Sequence, residues 1–282
     1  GTSGGGGGRR ATAGSTARGA GAERKAQTPV TARVKTAPAA LAFYAFILVL
    51  TLGAVWKFNI SPVYADMRFH EGESLSNMPN AGLNVKIFGL HKYLDAIRHN
   101  PKEDFYYLNL GRSLMELAEA KRSAGEAMGE EDPQVTVEQL LEYETEQEVG
   151  GFVQAHSPME LMSYARAILR RAYDLNPLNK DHSANLARLN NFWYNWVQDL
   201  DKLEAAAKWY ATANEVAPYD VQLINESANI QMMLGTILAS NGQEEAAQQH
   251  YALAERLYNA SLTYDPNFED QNQVGADMRL AE

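Results

Sequence analysis

The stretch NPKEDFYYLNLGRSL, residues 100–114, predicts a joint between two helices. Pro101 cannot continue a helix, and it biases Asn100 away from the helical region. Asp104 is suited to cap a new helix after this break. Bulky residues then follow at helical spacing, with Gly111 at a point where a neighbouring helix could approach closely. One helix is therefore expected to end near residue 100 and another to begin within a few residues.

The same pattern recurs along the chain. It consists of a small residue, a large residue four positions later, a small residue after three more, and a proline after five more. Its four occurrences are Gly89-Tyr93-Ala96-Pro101, Ala165-Leu169-Ala172-Pro177, Ala206-Tyr210-Ala213-Pro218 and Ala254-Tyr258-Ser261-Pro266. A complementary pattern places a small residue ten positions after each proline, at Gly111, Ala187, Ala228 and Ala276.

This spacing indicates close packing of helices in repeated pairs. Small residues seven apart lie on one face of a helix and admit a neighbouring helix, while the large residue between them fills the gap. The pattern resembles the tetratricopeptide repeat, a helix-turn-helix unit of about 34 residues. The prolines here are further apart than that, so extra residues are expected between the two helices of each unit. For residues 81–282 we predict an all-α, tetratricopeptide-like solenoid of helical hairpins.

Residues 1–37 are rich in Gly, Ala, Thr and Arg and predict a disordered basic linker. The chain as a whole has a formal net charge of −10, so the remainder is acidic. An acidic body argues against a nucleic-acid surface, although binding of nucleic acid by the basic segment is an alternative.

Residues 38–58 predict a transmembrane helix. Their apolar part, AALAFYAFILVLTLGAVW at residues 39–56, has no charged side chain and is long enough to span a bilayer. A secretory signal peptide and a buried core helix are the alternatives. Basic residues concentrate before this segment, which predicts a cytoplasmic N-terminal side and a repeat domain outside the inner membrane. Residues 59–80 are interpreted as a juxtamembrane connector.

The longest insertion, at about residues 119–157, is rich in glutamate. Clustered carboxylates could bind a divalent cation or attract a basic partner, but no EF-hand spacing is present. A solvated acidic segment with a short helix is the favoured interpretation.

No catalytic or cofactor motif stands out. The chain has no cysteine, and its six histidines follow no metal-ligand spacing. His182, beside Asp181 at a predicted helix start, is interpreted as a neighbour of a cap. We therefore predict no catalytic residue, cofactor or metal site.

The aromatic run Phe192-Trp193-Tyr194-Asn195-Trp196 cannot face one side of a helix entirely. It could form a partner groove or a carbohydrate platform, or it could fill the core. Asparagines recur on the predicted first helices and could line a concave binding surface. The predicted partner-binding residues are Asn185, Trp193, Trp196, Asn225 and Asn229.

Three stretches carry a more specific resemblance: NISPVYADMRFHEG at 59–72, NPKEDFYYLNLGRSLMELAE at 100–119 and NPLNKDHSANLARL at 176–189. From residue 39 onward the chain resembles the C-terminal part of bacterial O-antigen ligase or polymerase-like membrane proteins. This resemblance implies a last membrane helix followed by an exterior repeat domain that binds protein or peptide partners, within machinery acting on lipid-linked glycans. The resemblance implies no catalytic residue in this chain. The alternative is a single-span tetratricopeptide adaptor that recruits proteins at the membrane.

Overall fold

The computed structural model describes residues 38–79 and 81–268, and no strand occurs among them. The chain divides into two compact units, residues 1–50 and residues 51–282. The helices are α1 Pro38–Val55, α2 Ser61–Ser76, α3 Leu83–His99, α4 Asp104–Ser123, α5 Val137–Leu141, α6 Glu146–Ala155, α7 Pro158–Leu175, α8 Lys180–Val197, α9 Leu200–Val216, α10 Val221–Ser240 and α11 Glu244–Tyr264. The predicted linker at residues 1–37 lies outside the described residues.

One described helix, running from Pro38 to Ser76, is long and apolar enough at its start to cross a membrane. Its apolar window has a mean hydropathy of 2.2. A π-helical turn at Trp56–Ile60 joins α1 to α2 without a break in the helix. The predicted apolar helix near the start of the chain is therefore present, by length and composition.

The second unit is built from antiparallel helical hairpins. The paired helices are α2 with α3, α4 with α7, α8 with α9, and α10 with α11. Each hairpin packs against the next, chiefly through α3 with α4, α7 with α8, and α9 with α10. The prediction of an all-α stack of helical hairpins is confirmed.

The recurring small and large residues lie where the sequence pattern expects them. All twelve on the second helices are buried, namely Gly89, Tyr93, Ala96, Ala165, Leu169, Ala172, Ala206, Tyr210, Ala213, Ala254, Tyr258 and Ser261. On α4, a Cβ added to Gly111 would lie 2.6 Å from Cγ of Leu169. Only glycine therefore lets α4 approach α7 so closely at this point. Ala276 lies outside the described residues.

The segment interpreted as a juxtamembrane connector, residues 59–80, contains a packed helix. One face of α2 is buried at Ser61, Ala65, Phe69 and Gly72. A Cβ at Gly72 would lie 2.9 Å from the ring of Tyr93, so α2 forms a close hairpin with α3. A helix that pairs with α3 therefore lies before residue 81. Its buried face contains only one large apolar side chain, Phe69.

The acidic insertion is partly folded. Its short helices α5 and α6 begin with capping boxes, in which Thr136 pairs with Gln139 and Thr145 pairs with Glu148. Its apolar side chains join the core, whereas most of its carboxylates are exposed; the buried residues are Val137, Leu140, Val149, Phe152 and Val153. Glu131 joins it to the stack by ion pairs to Arg166 and, at 2.5 Å, to Lys202. Among the described residues, no group of three or more His, Cys, Asp or Glu side chains could hold a metal ion.

The hydrogen bonds at the turn around Pro101 differ from those predicted. Glu103 is the N-cap residue of α4, and its side chain forms no capping hydrogen bond. The carboxylate of Asp104 instead pairs with Nε2 of His182 and accepts hydrogen bonds from Asn176 and Asn179, at 3.1 and 3.4 Å. The predicted capping role of Asp104 is therefore wrong. The residue links this turn to the next one.

Candidate binding groove

A groove of about 700 Å³ lies between α3, α4 and α8. The helices α4 and α8 are the first helices of successive hairpins, so the groove opens on the side of the stack where first helices meet. Its lining comprises Lys86, Arg112, Met115, Glu116, Glu119, Ala120, Asn185, Arg188 and Phe192.

Helical spacing explains why these residues share one surface. The α8 residues Asn185, Arg188 and Phe192 follow one another at intervals of three and four, which places them on one face of the helix. The α4 residues follow the same rule from Arg112 to Ala120. Met115 and Phe192 are partly buried against the core and form the apolar part of the groove. The surface is therefore fixed by two packed helices rather than by loops.

Most charged groups in the groove are paired. Lys86 Nζ lies 3.1 Å from Oε2 of Glu116. Arg188 makes two hydrogen bonds of 2.9 Å to the carboxylate of Glu226 on the next hairpin.

Arg112 is the exception. It is exposed and forms no ion pair within residues 38–79 and 81–268. It therefore offers a guanidinium that is free to bind an incoming carboxylate.

The neighbouring carboxylate Glu119 stays ionised. Hydrogen bonds from Arg122, at 2.8 and 2.7 Å, hold the pKa of Glu119 below its ordinary value and outweigh a small opposite effect of burial. Burial would lower the pKa of Arg188, but the hydrogen bonds to Glu226 and the nearby negative charges together outweigh burial and raise the pKa. At neutral pH the groove thus presents fixed charges, with Arg112 the cation that remains available.

Of the predicted partner-binding residues, Asn185 lies in this groove. Its Nδ2 donates a 2.7 Å hydrogen bond to the carbonyl of Asp181, which orients the side-chain amide. Trp196 lies beside the groove, half-buried, with its ring centroid 5.1 Å from that of Phe192. The guanidinium of Arg122 lies 5.3 Å from the Trp196 ring centroid. The ring is therefore held between two neighbours.

Trp193 is in the core. It is fully buried, and its Nε1 donates a 3.3 Å hydrogen bond to the sulfur of Met159. Lys202 Nζ lies 4.2 Å from its ring centroid. This position matches the core-filling alternative for the aromatic run. The Trp193 ring lies on the inward face of α8, beneath the groove.

Asn225 and Asn229 lie on α10 and do not line the groove among the described residues. Asn225 is almost fully buried, and Asn229 accepts a hydrogen bond from the hydroxyl of Tyr258. Their role in partner binding stays a prediction.

The charged and apolar lining residues are not among the predicted partner-binding residues. The signal that could have found Arg188 and Phe192 is their spacing from Asn185 on one face of α8. No comparable signal points to Lys86, because its place in the groove depends on the packing of α3 against α4.

Comparisons with known proteins add little to this geometry. No protein-family model matches the chain, and no curated protein matches it. Among solved structures, the chain is similar to one described as "Crystal structure of MamA protein", with 14% sequence identity and a TM-score of 0.31. The alignment covers 76% of this chain and 99% of that one. The fold and the groove therefore rest on the residues described above.

Proposed function

We propose that the helical stack is a protein-interaction domain that binds a peptide segment of a partner in the groove between α3, α4 and α8. The observation that carries this proposal is the combination of an apolar floor, Met115 and Phe192, with the unpaired cation Arg112. Peptide sites in proteins commonly combine apolar pockets with a few placed polar groups.

Each part of the groove has a role in such a complex. An apolar side chain of the peptide packs on Met115 and Phe192, because that contact removes both surfaces from water. A carboxylate of the peptide binds Arg112 in the bidentate geometry that a guanidinium favours. The amide of Asn185 supplies hydrogen bonds to peptide backbone groups. Trp196 borders this site and Trp193 supports it from beneath, whereas Asn225 and Asn229 lie outside it on α10.

We further propose that α1 anchors this domain in the cytoplasmic membrane, with the stack outside. The apolar composition of residues 39–56 and the basic residues before them support this arrangement. The three stretches that resemble O-antigen ligase or polymerase-like proteins support a place beside glycan-transferring membrane machinery. A single-span adaptor is the second candidate, and it uses the same groove.

Peptide binding is tested by selecting binders from a random peptide phage library on the full chain in detergent micelles. We expect selected peptides to carry an acidic and a large apolar residue. Their affinity should fall at least tenfold for the double variant Arg112→Ala, Phe192→Ala and stay unchanged for Glu255→Ala, an exposed position on α11. Equal affinity for both variants would place the binding site elsewhere.

The reading frame upstream of Gly1 distinguishes the two candidates, a glycan-transferring membrane protein and a single-span adaptor. Several additional spanning segments there would support the glycan-transferring protein, and a start codon shortly before Gly1 would support the adaptor. Protease added outside intact cells should cut the region after Lys57, whereas protection of that region would contradict the proposed orientation.

A further inference from the structure

The four turns that contain Pro101, Pro177, Pro218 and Pro266 form one edge of the second unit, called here the turn edge. Contacts link each turn to the next. Asn176 donates to Asp104, Lys180 pairs with Asp220, and the rings of Tyr219 and Tyr264 lie 5.0 Å apart. The turns therefore make a continuous row across the stack.

The helix α2, the first of the stack, begins at this same edge. Ser61, the first residue of α2, donates a 2.8 Å hydrogen bond from Oγ to the carbonyl of His99 at the end of α3. The end of α3 leads directly into the turn at Pro101. The residues that follow the apolar segment, from Trp56 to Ile60, thus lie next to the turn edge.

Large apolar side chains are exposed along the turn edge. Leu178 and Tyr219 occupy the position after the proline in their turns and are 80% and 72% exposed. Phe105 and Tyr264 flank the first and last turns and are also exposed. At the opposite ends of the helices, the exposed large apolar residues of the described part are Met78, Leu83 and Val197, and none of them is as exposed as Leu178 or Tyr219.

The carboxylates within the turns are only partly exposed. They are Glu103, Asp104, Asp181, Asp220 and Asp265. Asp220 pairs with Lys180 and accepts a 3.1 Å hydrogen bond from the amide of Leu223. The exposed residues Asp174 and Glu215 lie in the last turns of α7 and α9, further from the prolines. The position after the proline is thus apolar in two of the four turns and polar in the other two, at Lys102 and Asn267, and the turns carry few free charges.

We infer that the turn edge lies in the interface of a lipid bilayer, with Leu178, Tyr219 and Tyr264 among the headgroups. This inference rests on the proposed membrane anchoring by α1. The distances agree, because Ser61 lies five residues after Trp56, which corresponds to a helical rise of about 7 Å. The polar region of one leaflet is about 5–8 Å thick. A stack that begins at Ser61 can thus rest its turn edge on the headgroups.

The chemistry of the edge fits lipid better than a charged partner surface. Tyrosine and tryptophan are enriched at membrane interfaces, where their apolar bodies and polar tips match the surroundings. Lys102 is the exposed basic residue within the four turns, so the attraction is mainly apolar and does not require anionic lipid. The expected surface is zwitterionic phosphatidylcholine.

Because the chain has no cysteine, single labels test this contact cleanly. The full chain is reconstituted in phosphatidylcholine vesicles with an environment-sensitive fluorophore at Leu178→Cys or Tyr219→Cys. Gln243→Cys, before α11 at the opposite ends of the helices, is the matched control, and Leu48→Cys reports on insertion of α1. Spin-labelled lipids then quench fluorophores that contact the bilayer, either near the headgroups or deep in the acyl region.

We expect headgroup spin labels to quench residues 178 and 219 several-fold more than residue 243, and deep labels to quench residue 48. Quenching at 48 without quenching at 178 and 219 would overturn the inference and leave the anchor intact. A blue shift at 178 and 219 without lipid quenching would mean that protein covers the edge, which also overturns it. Absence of quenching at 48 would contradict the anchoring itself and, with it, the inference.

Discussion

The carboxylate of Asp104 on α4 pairs with Nε2 of His182 on α8, a fully buried side chain 78 residues further along the chain. Oδ2 of Asp104 also accepts hydrogen bonds from Asn176 and Asn179. Nδ1 of His182 is buried and has no hydrogen-bond partner within the described ranges. One carboxylate thus joins two successive turns of the stack.

Removing this carboxylate should destabilise the second unit. In Asp104→Ala, His182 would stay buried without its partner, and breaking such a pair costs about 3 kcal/mol. The free energy of unfolding can be measured by urea titration of the full chain in micelles, followed by far-UV circular dichroism. Asp174→Ala is the control, because Asp174 is exposed and, among the described residues, forms an ion pair only with Arg170. That change should cost less than about 1 kcal/mol. Similar losses in both variants would contradict a special role for Asp104.

The same carboxylate predicts a dependence of stability on acid pH. Partial burial alone would raise the pKa of Asp104, but hydrogen bonds from His182, Asn179 and Asn176 outweigh it and hold the pKa below its ordinary value. A depressed folded-state pKa contributes stability above the unfolded value of about 3.9 and loses it as pH falls through the folded value. Between pH 6 and pH 3 the wild type should therefore lose more unfolding free energy than Asp104→Ala. Parallel curves for the two proteins would refute the assignment.

Gly111 should tolerate no side chain. Because an added Cβ would lie 2.6 Å from Leu169, Gly111→Ala forces α4 away from α7 and should cost about 1–3 kcal/mol. Gly151 on α6 is the matched control, since nothing lies within 4 Å of its added Cβ. Gly151→Ala should be neutral or stabilise by up to about 1 kcal/mol through helix propensity. Thermal unfolding of both variants tests the contrast, and an unchanged midpoint for Gly111→Ala would argue against close packing there.

Glu131 should hold the acidic insertion against the stack. Hydrogen bonds from Lys202 and Arg166 outweigh burial and lower the pKa of Glu131, so the bridge is ionised at neutral pH. Glu131→Gln should speed cleavage between residues 124 and 135 in limited proteolysis, because the segment would open locally. Glu138→Gln, at an exposed position on α5, should leave the rate unchanged. Equal cleavage rates in both variants would mean that other contacts hold the insertion.

The fold was largely predictable because helix packing leaves a periodic signal. The spacing of the small residues around Tyr93, Leu169, Tyr210 and Tyr258 indicates which face of each second helix is buried. The polar contacts left no such signal. Asp104 looked like a cap because capping is a local property, whereas its partner His182 depends on the packing of distant turns.

The groove was predictable only in part for the same reason. The recurrence of asparagines on first helices points to Asn185, but Lys86 and Arg112 come together only when α3 and α4 pack. Sequence order does not tell which residues of an aromatic run face inward, so it leaves both partner contact and core filling open for Trp193. Its position beneath α8 follows from the contact with Met159.

Hydrogen exchange measured with and without a selected peptide tests the proposed binding groove most directly. Amides of bound helices should exchange more slowly, since the peptide suppresses local opening. We predict protection within residues 112–120 of α4 and 185–192 of α8, and loss of that protection in the Arg112→Ala, Phe192→Ala variant. Protection confined to α10 and α11, or to the four turns, would contradict the account.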